Sequence, residues 1–244
     1  MLTCSIMSFE QYLKILAHPV FTGLNFHMPM VIDLSYPLVM LKGENGSGKS
    51  TLANAIIGRE TYETSGSIKL NNNDLLLLNV TDRAKAGIFM TFQTPPSIPG
   101  ITNFKLVNNF PKSFDTLKLL SKYKKDMLKL QLGQCWNQRN FNEGASGGER
   151  KKNELLQLLQ SNPKVVILDE LDTGLDVDAL KIILQIINEH KDKYGWLVIS
   201  HSSKVLKNLN PNYVHILQNG KINETGGADL LDKIEEKGFL NATK

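Results

Sequence analysis

Residues Gly43–Thr51 read GENGSGKST and match the spacing G-x-x-x-x-G-K-[ST]. Gly43, Gly46 and Gly48 let the backbone curl until its N–H groups point inward, a concave donor array suited to a triphosphate. Lys49 is placed to reach the β and γ phosphates as a point charge, and Ser50 to give its hydroxyl to Mg²⁺. The expected nucleotide-binding residues are therefore Gly43, Glu44, Asn45, Gly46, Ser47, Gly48, Lys49, Ser50 and Thr51. A glycine loop can also merely turn a strand into a helix. Here the apolar run PLVMLKG precedes the loop and the helix-like STLANAIIG follows it, which is the context the phosphate chemistry requires.

A second group lies at the end of another apolar run, Lys164–Leu168 (KVVIL). Asp169 follows it directly, where such a site holds Mg²⁺ through water. Glu170 comes next, on the γ-phosphate side, where it can polarise the attacking water as a general base. His201 follows the run WLVIS and is expected to contact the γ-phosphate and hold the water and Glu170 in register. Gln93 ends GIFMTFQ and is expected to join the shell of Mg²⁺ and water. The expected metal residues are thus Ser50, Gln93 and Asp169, and the expected catalytic residues are Glu170 and His201.

These side chains need strands ending at a common edge. Pro37–Gly43, Gly87–Gln93, Lys164–Leu168 and WLVIS read as short strands, and KVVIL shows almost no polar alternation, as when both faces of a parallel sheet are covered. Ser50–Gly58 and DALKIILQIINEH read as helices. Val214–Ile222 reads as a hairpin with Asn219-Gly220 at its turn, and Asp229–Gly238 as an amphipathic helix. TPPSIPG is a proline-rich break, and Phe104–Leu132 follows a helical pattern. Strands alternating with helices predict an α/β layer with a parallel sheet. The mostly helical stretch from Thr94 to Ser161 interrupts that alternation as an inserted subdomain.

The 244 residues, 41% hydrophobic and 21% charged, suffice for one large core with a subdomain. A net charge of +4 is too mild to argue for nucleic acid. Two distant cysteines, Cys4 and Cys135, form neither a disulfide framework nor a metal site. No run approaches the roughly 18 apolar residues of a membrane span, and Glu10 with no preceding basic segment argues against a secretory signal. Four arginines among 28 basic residues, and the run Asn71-Asn72-Asn73, suit an AT-rich genome such as a plastid's or a reduced bacterium's.

Gly144–Gln157, GASGGERKKNELLQ, precedes the carboxylate strand. Ser146-Gly147-Gly148-Glu149 resembles the signature motif of ABC-type ATPases. In that family two nucleotide domains face head to tail, and the signature loop of one caps the γ-phosphate held by the other. A serine hydroxyl and glycine N–H groups at a helix start suit an anion. The same residues also make a capping box with Ser146 as N-cap and Glu149 three residues on, and the two roles are compatible.

Four further stretches resemble the SufC branch of these ATPases, which serves the SUF system of iron–sulfur cluster assembly. They are FQTPPSIPGIT, EGASGGERKKNELLQ, LDELDTGLDVDALK and HILQNGKINETGGADLL. Leu171 stands where most transporter ATPases have proline. The resemblance implies a single P-loop NTPase domain of ABC type over 1–244, with a RecA-like core (1–93 and 162–244), an α-helical subdomain carrying the signature (94–161) and an antiparallel β edge. It implies ATP and Mg²⁺ as ligands, an ATP-dependent homodimer, SufB-like and SufD-like scaffold partners, and a bacterial cytoplasm or plastid stroma. Nucleic acid and direct membrane insertion are not expected. Gln93 becomes the Q-loop residue and Asp176 the residue of the loop that crosses the dimer, while Asp172 and Asp178 shape the turn and cap the next helix. Tyr12 is either the adenine-stacking aromatic or an ordinary core residue. The alternative is the nucleotide-binding subunit of a membrane transporter.

Overall fold

The computed structural model describes residues 13–17, 20–21, 24–25, 38–61, 64, 66–71, 73–108, 116–170, 175–200, 202 and 207–237. The chain opens with strands β1 (Leu13–Ala17), β2 (Val20–Phe21), β3 (Leu24–Asn25) and β4 (Leu38–Lys42), then helix α1 (Lys49–Ile57). Next come β5 (Gly66–Leu70), β6 (Asn73–Asp74), α2 (Val80–Ala86), β7 (Ile88–Met90) and β8 (Ile98–Thr102). Helices α3 (Asn103–Asn108) and α4 (Thr116–Lys129), the short β9 (Asn140–Phe141) and α5 (Gly147–Ser161) follow. The chain then alternates β10 (Val165–Asp169), α6 (Val177–Glu189) and β11 (Gly195–Ile199). It closes with β12 (Tyr213–Gln218), β13 (Lys221–Gly226) and α7 (Asp229–Lys237).

The central sheet runs β13-β12-β4-β11-β10-β7. All its pairings are parallel except the β12–β13 hairpin. Every residue of β4, β10 and β11 is buried, which explains why these strands read as unbroken apolar runs. Their side chains alternate between two cores. Leu38, Met40, Val166, Leu168, Trp196 and Val198 face the layer that includes α5, α6 and α7. Val39, Leu41, Val165, Ile167, Leu197 and Ile199 face α1 and the antiparallel sheet β1-β5-β6. The register pairs Asp169 with Ile199 and Ile199 with Leu41. The carboxyl ends of β4, β10 and β11 therefore share one edge, where open α/β sheets bind ligands.

Helix α1 is bounded at both ends by left-handed glycines, Gly48 at φ 105° and Gly58 at φ 82°. Its last carbonyls are gripped by Arg83 of α2, whose Nη1 donates to Ala55 O (2.7 Å) and Ile56 O (2.9 Å) while Nε donates to Leu78 O (2.9 Å). A buried guanidinium fork thus satisfies Ile56 O and adds a second hydrogen bond to Ala55 O, which also accepts from Gly58 N at 3.2 Å. At the β12–β13 turn, Asn219 (φ 47°) and Gly220 (φ 74°) are both left-handed, the geometry a two-residue hairpin favours.

The proline-rich break is shorter than expected. Ile98–Thr102 pairs antiparallel with Asn140–Phe141, with a shift between Ile98 and Thr102. Pro99 needs no ladder donor at such an irregularity, and Gly100 supplies φ 78° there. The helical pattern of Phe104–Leu132 is carried by α3 and α4. Asp176, not Asp178, caps α6: its Oδ1 accepts from Ala179 N at 2.7 Å. Asp178 lies inside the first turn and pairs with Lys181 at 3.3 Å. A cap must precede the helix, and α6 starts one residue earlier than the DALK run suggests.

Arg83→Met removes three charge-assisted hydrogen bonds and should lower the unfolding free energy by about 3 kcal/mol. Arg83→Lys should recover less than half, because one ammonium lacks the fork. Denaturant titration checks both, and an Arg83→Met loss below about 0.5 kcal/mol would reject this role.

Candidate active site

Gly43 directly follows β4, and Gly46 (φ 78°) and Gly48 (φ 105°) provide the two left-handed bends of the loop. Glu44, Asn45 and Gly46 are exposed at the tip, while Gly43, Ser47, Gly48 and Lys49 are buried. Ser47 N donates to Glu44 O at 3.2 Å, and Gly220 N of the β12–β13 turn donates to Ser47 O at 3.0 Å, so the hairpin braces the loop from outside. Lys49 Nζ donates to Gly43 O (2.8 Å) and Glu44 O (2.7 Å) and lies 3.4 Å from Ser47 Oγ. Burial pulls the Lys49 pKa below its usual value, opposed by the charges of Asp169 and Glu170. Its ammonium thus lies within the coil of the loop, beside the N-terminus of α1, where an anion gains from backbone N–H groups and the helix dipole. Thr51 is half-buried in the first turn of α1.

Three oxygen-bearing side chains meet at the sheet edge. Ser50 Oγ lies 3.2 Å from Asp169 Oδ1, and Gln93 Nε2 lies 3.2 Å from Ser50 Oγ and 3.4 Å from Asp169 Oδ2. Asp169 is 1% exposed. Burial raises its pKa, opposed first by the Ser50 hydrogen bond and reinforced by Glu170. Its N–H donates to Thr91 Oγ1 at 3.2 Å. A hydroxyl, a carboxylate and an amide whose oxygen becomes available by a half-turn of its end group form a donor set that fits a hard divalent cation such as Mg²⁺. A pocket of about 250 Å³ opens beside this group, between Asn54, Arg59, Met90, Phe92 and Thr94.

Glu170 is half-buried and left-handed at φ 52°, with its N–H donating to Ile199 O at 3.0 Å. His201, Tyr12, Leu171, Asp172 and Cys4 lie outside the described residues.

At the start of α5, Ser146 Oγ accepts from Glu149 N (3.2 Å) and Glu149 Oε2 accepts from Ser146 N (2.9 Å), a complete capping box. Ser146 and Gly147 are exposed. Gly148 is buried against the next cap: a Cβ there would stand 3.2 Å from Ala179 Cβ and 3.6 Å from Asp176 Oδ2. Gly148 and Asp176 are therefore neighbours. Among the described residues, no hydrogen bond or ion pair joins Ser146, Gly147 or Gly148 to the Gly43–Thr51 loop. The geometry thus yields two groups: phosphate loop with carboxylates, and signature with Asp176.

A family model described as ABC transporter matches residues 35–173. Vegetative protein 296 of Bacillus subtilis (strain 168) is 40% identical over 206 residues, spanning 81% of this chain and 79% of that protein. The probable ATP-dependent transporter ycf16 of Antithamnion sp. is 41% identical over 210 residues, spanning 82% and 84%. The chain belongs to the ABC transporter ATPase family. Among solved structures, a dimeric ATP-binding cassette in a post-hydrolysis state bound to ADP and Pi superposes with TM-score 0.73 at 18% identity, covering 89% of this chain and 98% of that one. The α/β fold is thus that of an ABC cassette, and family membership makes this chain an ATPase.

Two supports of this ATPase site were not anticipated from sequence. Thr91 was visible only as the lone polar residue inside the run GIFMTF, and Gly220 only as a turn former. A Cβ on Gly46 would meet nothing within 4 Å, whereas Gly43 is tightly enclosed. A Cβ there would lie 2.2 Å from Leu217 O and 2.7 Å from Ser47 Oγ, so β12 or the loop must move. Gly43→Ala should weaken ATP binding at least about tenfold through displacement of the donor array, with the circular dichroism spectrum retained. Calorimetric titration with ATP measures it, and an affinity within about twofold of wild type would show that the loop tolerates the shift.

Proposed function

We propose that this ATPase is the nucleotide-hydrolysing subunit of a SUF-type iron–sulfur cluster assembly complex, in which ATP-dependent pairing of two copies rearranges a SufB-like and SufD-like scaffold. The run LDELDTGLDVDALK carries the proposal, because Leu171 replaces the proline of most transporter ATPases. The companion stretches around Gln93, the signature and the β12–β13 hairpin support it. The compartment is a bacterial cytoplasm or a plastid stroma. Nucleotide-binding subunits of membrane transporters are the second reading, favoured by the name "probable ATP-dependent transporter" carried by the Antithamnion relative. Among the described residues, no helix is long and apolar enough to cross a membrane.

Within the site, Gly43–Thr51 wraps the triphosphate. Lys49 exchanges its carbonyl partners for the β and γ phosphates, its buried charge matched to theirs. Ser50, Gln93 and Asp169 would hold Mg²⁺, which offsets phosphate charge when bound. Glu170 polarises the attacking water and accepts its proton. His201 contacts the γ-phosphate and keeps that water in line. Ser146, Gly147 and Gly148 of a second copy close the site over the γ-phosphate, and Asp176 lies at the contact between copies. An exposed Ser146, two residues before the Gly148 that packs on the Asp176 cap, suits that arrangement.

Glu170→Gln should bind ATP yet hydrolyse it at least about 100-fold more slowly and accumulate as an ATP-bridged dimer in light scattering. Undiminished turnover would remove Glu170 as the base. Affinity purification of the tagged chain, followed by identification of the bound protein, separates the two readings. SufB-like or SufD-like scaffolds support cluster assembly, whereas a multi-spanning permease would overturn it.

A further inference from the structure

Gln93 is exposed and sits on a proline-rich turn, yet the peptide before it is held at both ends. Phe92 N donates to Glu154 Oε1 at 2.6 Å, and Lys151 Nζ donates to Phe92 O at 2.8 Å. Lys151 and Glu154 lie one turn apart on α5, their side chains 6% and 4% exposed, with Nζ 3.1 Å from Glu154 Oε2. That last contact is Coulombic, since Oε2 accepts no well-directed hydrogen bond. The same helix also reaches the far side of Gln93. Asn153 Nδ2 donates to Asn142 Oδ1 at 2.8 Å, and Asn142 Nδ2 donates to Pro96 O at 2.8 Å.

We infer that Glu154 and Lys151 are positioning residues for ATP hydrolysis, holding Phe92 so that Gln93 stays beside Ser50 and Asp169. A buried ion pair seldom stabilises a fold more than apolar residues of similar size would. Stability alone therefore gives little reason for two charges here. Directional hydrogen bonds to both backbone groups of one residue do give one, because a displacement of about 1 Å at a reacting centre can cost about 100-fold in rate. Burial disfavours the Glu154 carboxylate, and Lys151 and the Phe92 N–H counter it, so the charge depends on the contacts that grip the loop. The helix that carries this pair begins at Ser146. Closure of the signature by a second copy's γ-phosphate thus acts on the same rigid element that sets Gln93. The inference rests on the role given to Gln93 above.

The test uses full-length protein and steady-state ATP hydrolysis. Lys151→Met/Glu154→Met removes both charges together and leaves neither unpaired. It should lower kcat at least about tenfold with KM for ATP within about threefold. Lys151→Gln/Glu154→Gln, equally neutral, restores a donor for Phe92 O as well as an acceptor for Phe92 N–H and should regain most of that loss. Placed on Gln93→Ala, the Met pair should add less than about twofold, because both changes remove one arrangement. An unchanged kcat in the folded Met pair overturns the inference, as do losses that multiply with Gln93→Ala or equal losses in the Met and Gln versions. Should the Met pair fail to fold, the Gln version alone decides: near-wild-type kcat supports the positioning role, and a tenfold loss at unchanged melting temperature overturns it. An unchanged kcat in Gln93→Ala by itself would instead overturn the role of Gln93 from which the inference starts.

Discussion

A carboxylate held out of water at the end of a central strand governs this structure. Asp169 is 1% exposed, and burial raises its affinity for a proton. An isolated buried charge of this kind would be costly, so its surroundings must supply compensation. They do so from four directions: the Ser50 hydroxyl, the Gln93 amide, and the charges of Lys49 and Lys151. These partners come from three segments: Lys49 and Ser50 from the start of α1, Gln93 from the loop after β7, and Lys151 from α5. The parallel sheet brings them together because β7, β10, β11 and β4 end at one edge. The proposed site for cation and phosphate is in this sense a consequence of balancing one buried acid.

The parts of this arrangement that obey short-range rules were legible in the sequence. Both faces of β4, β10 and β11 are covered, so they appear as apolar runs; α1 starts in the glycine loop and stops at Gly58. Asn219-Gly220 marked its hairpin, and Ser146 with Glu149 its capping box. The parts set by distant contacts were not legible. Pairing between Ile98–Thr102 and Asn140–Phe141 joins segments about one subdomain apart, through a stretch whose proline and glycine suggest only a break. The DALK run points to Asp178 as the cap, and only the position of the first turn of α6 gives that role to Asp176. Lys151 and Glu154 look like a solvated i,i+3 pair in a charged helix. Their burial depends on how α5 packs beneath the loop of Phe92.

Helix α5 deserves its length for a physical reason. Its first turn carries the exposed Ser146, its second holds Phe92, and Asn153 joins a buried amide network with Asn103, Asn142 and Trp136. Such a network is costly when half-satisfied, so it fixes the helix in one register against α3 and β9. Side chains one and two turns along a fixed helix move together. On the inferred role of Lys151 and Glu154, a displacement imposed at Ser146 would reach Phe92 through the helix itself.

Glu170 shows how the sheet edge accommodates a second acid. Neighbouring residues of an extended strand point to opposite faces. Two consecutive strand carboxylates would therefore diverge, and one ammonium would not serve both. Here the charges of Asp169 and Glu170 both act on Lys49. The left-handed turn at Glu170, φ 52°, breaks the alternation directly after β10. That conformation costs a non-glycine residue on the order of 1 kcal/mol, and the hydrogen bond from Glu170 N to Ile199 O opposes it by tying the turn to the neighbouring strand. A glycine would relax the backbone but remove the acid. On the role proposed for Glu170, the strain at this position follows from needing a carboxylate where the chain leaves the sheet.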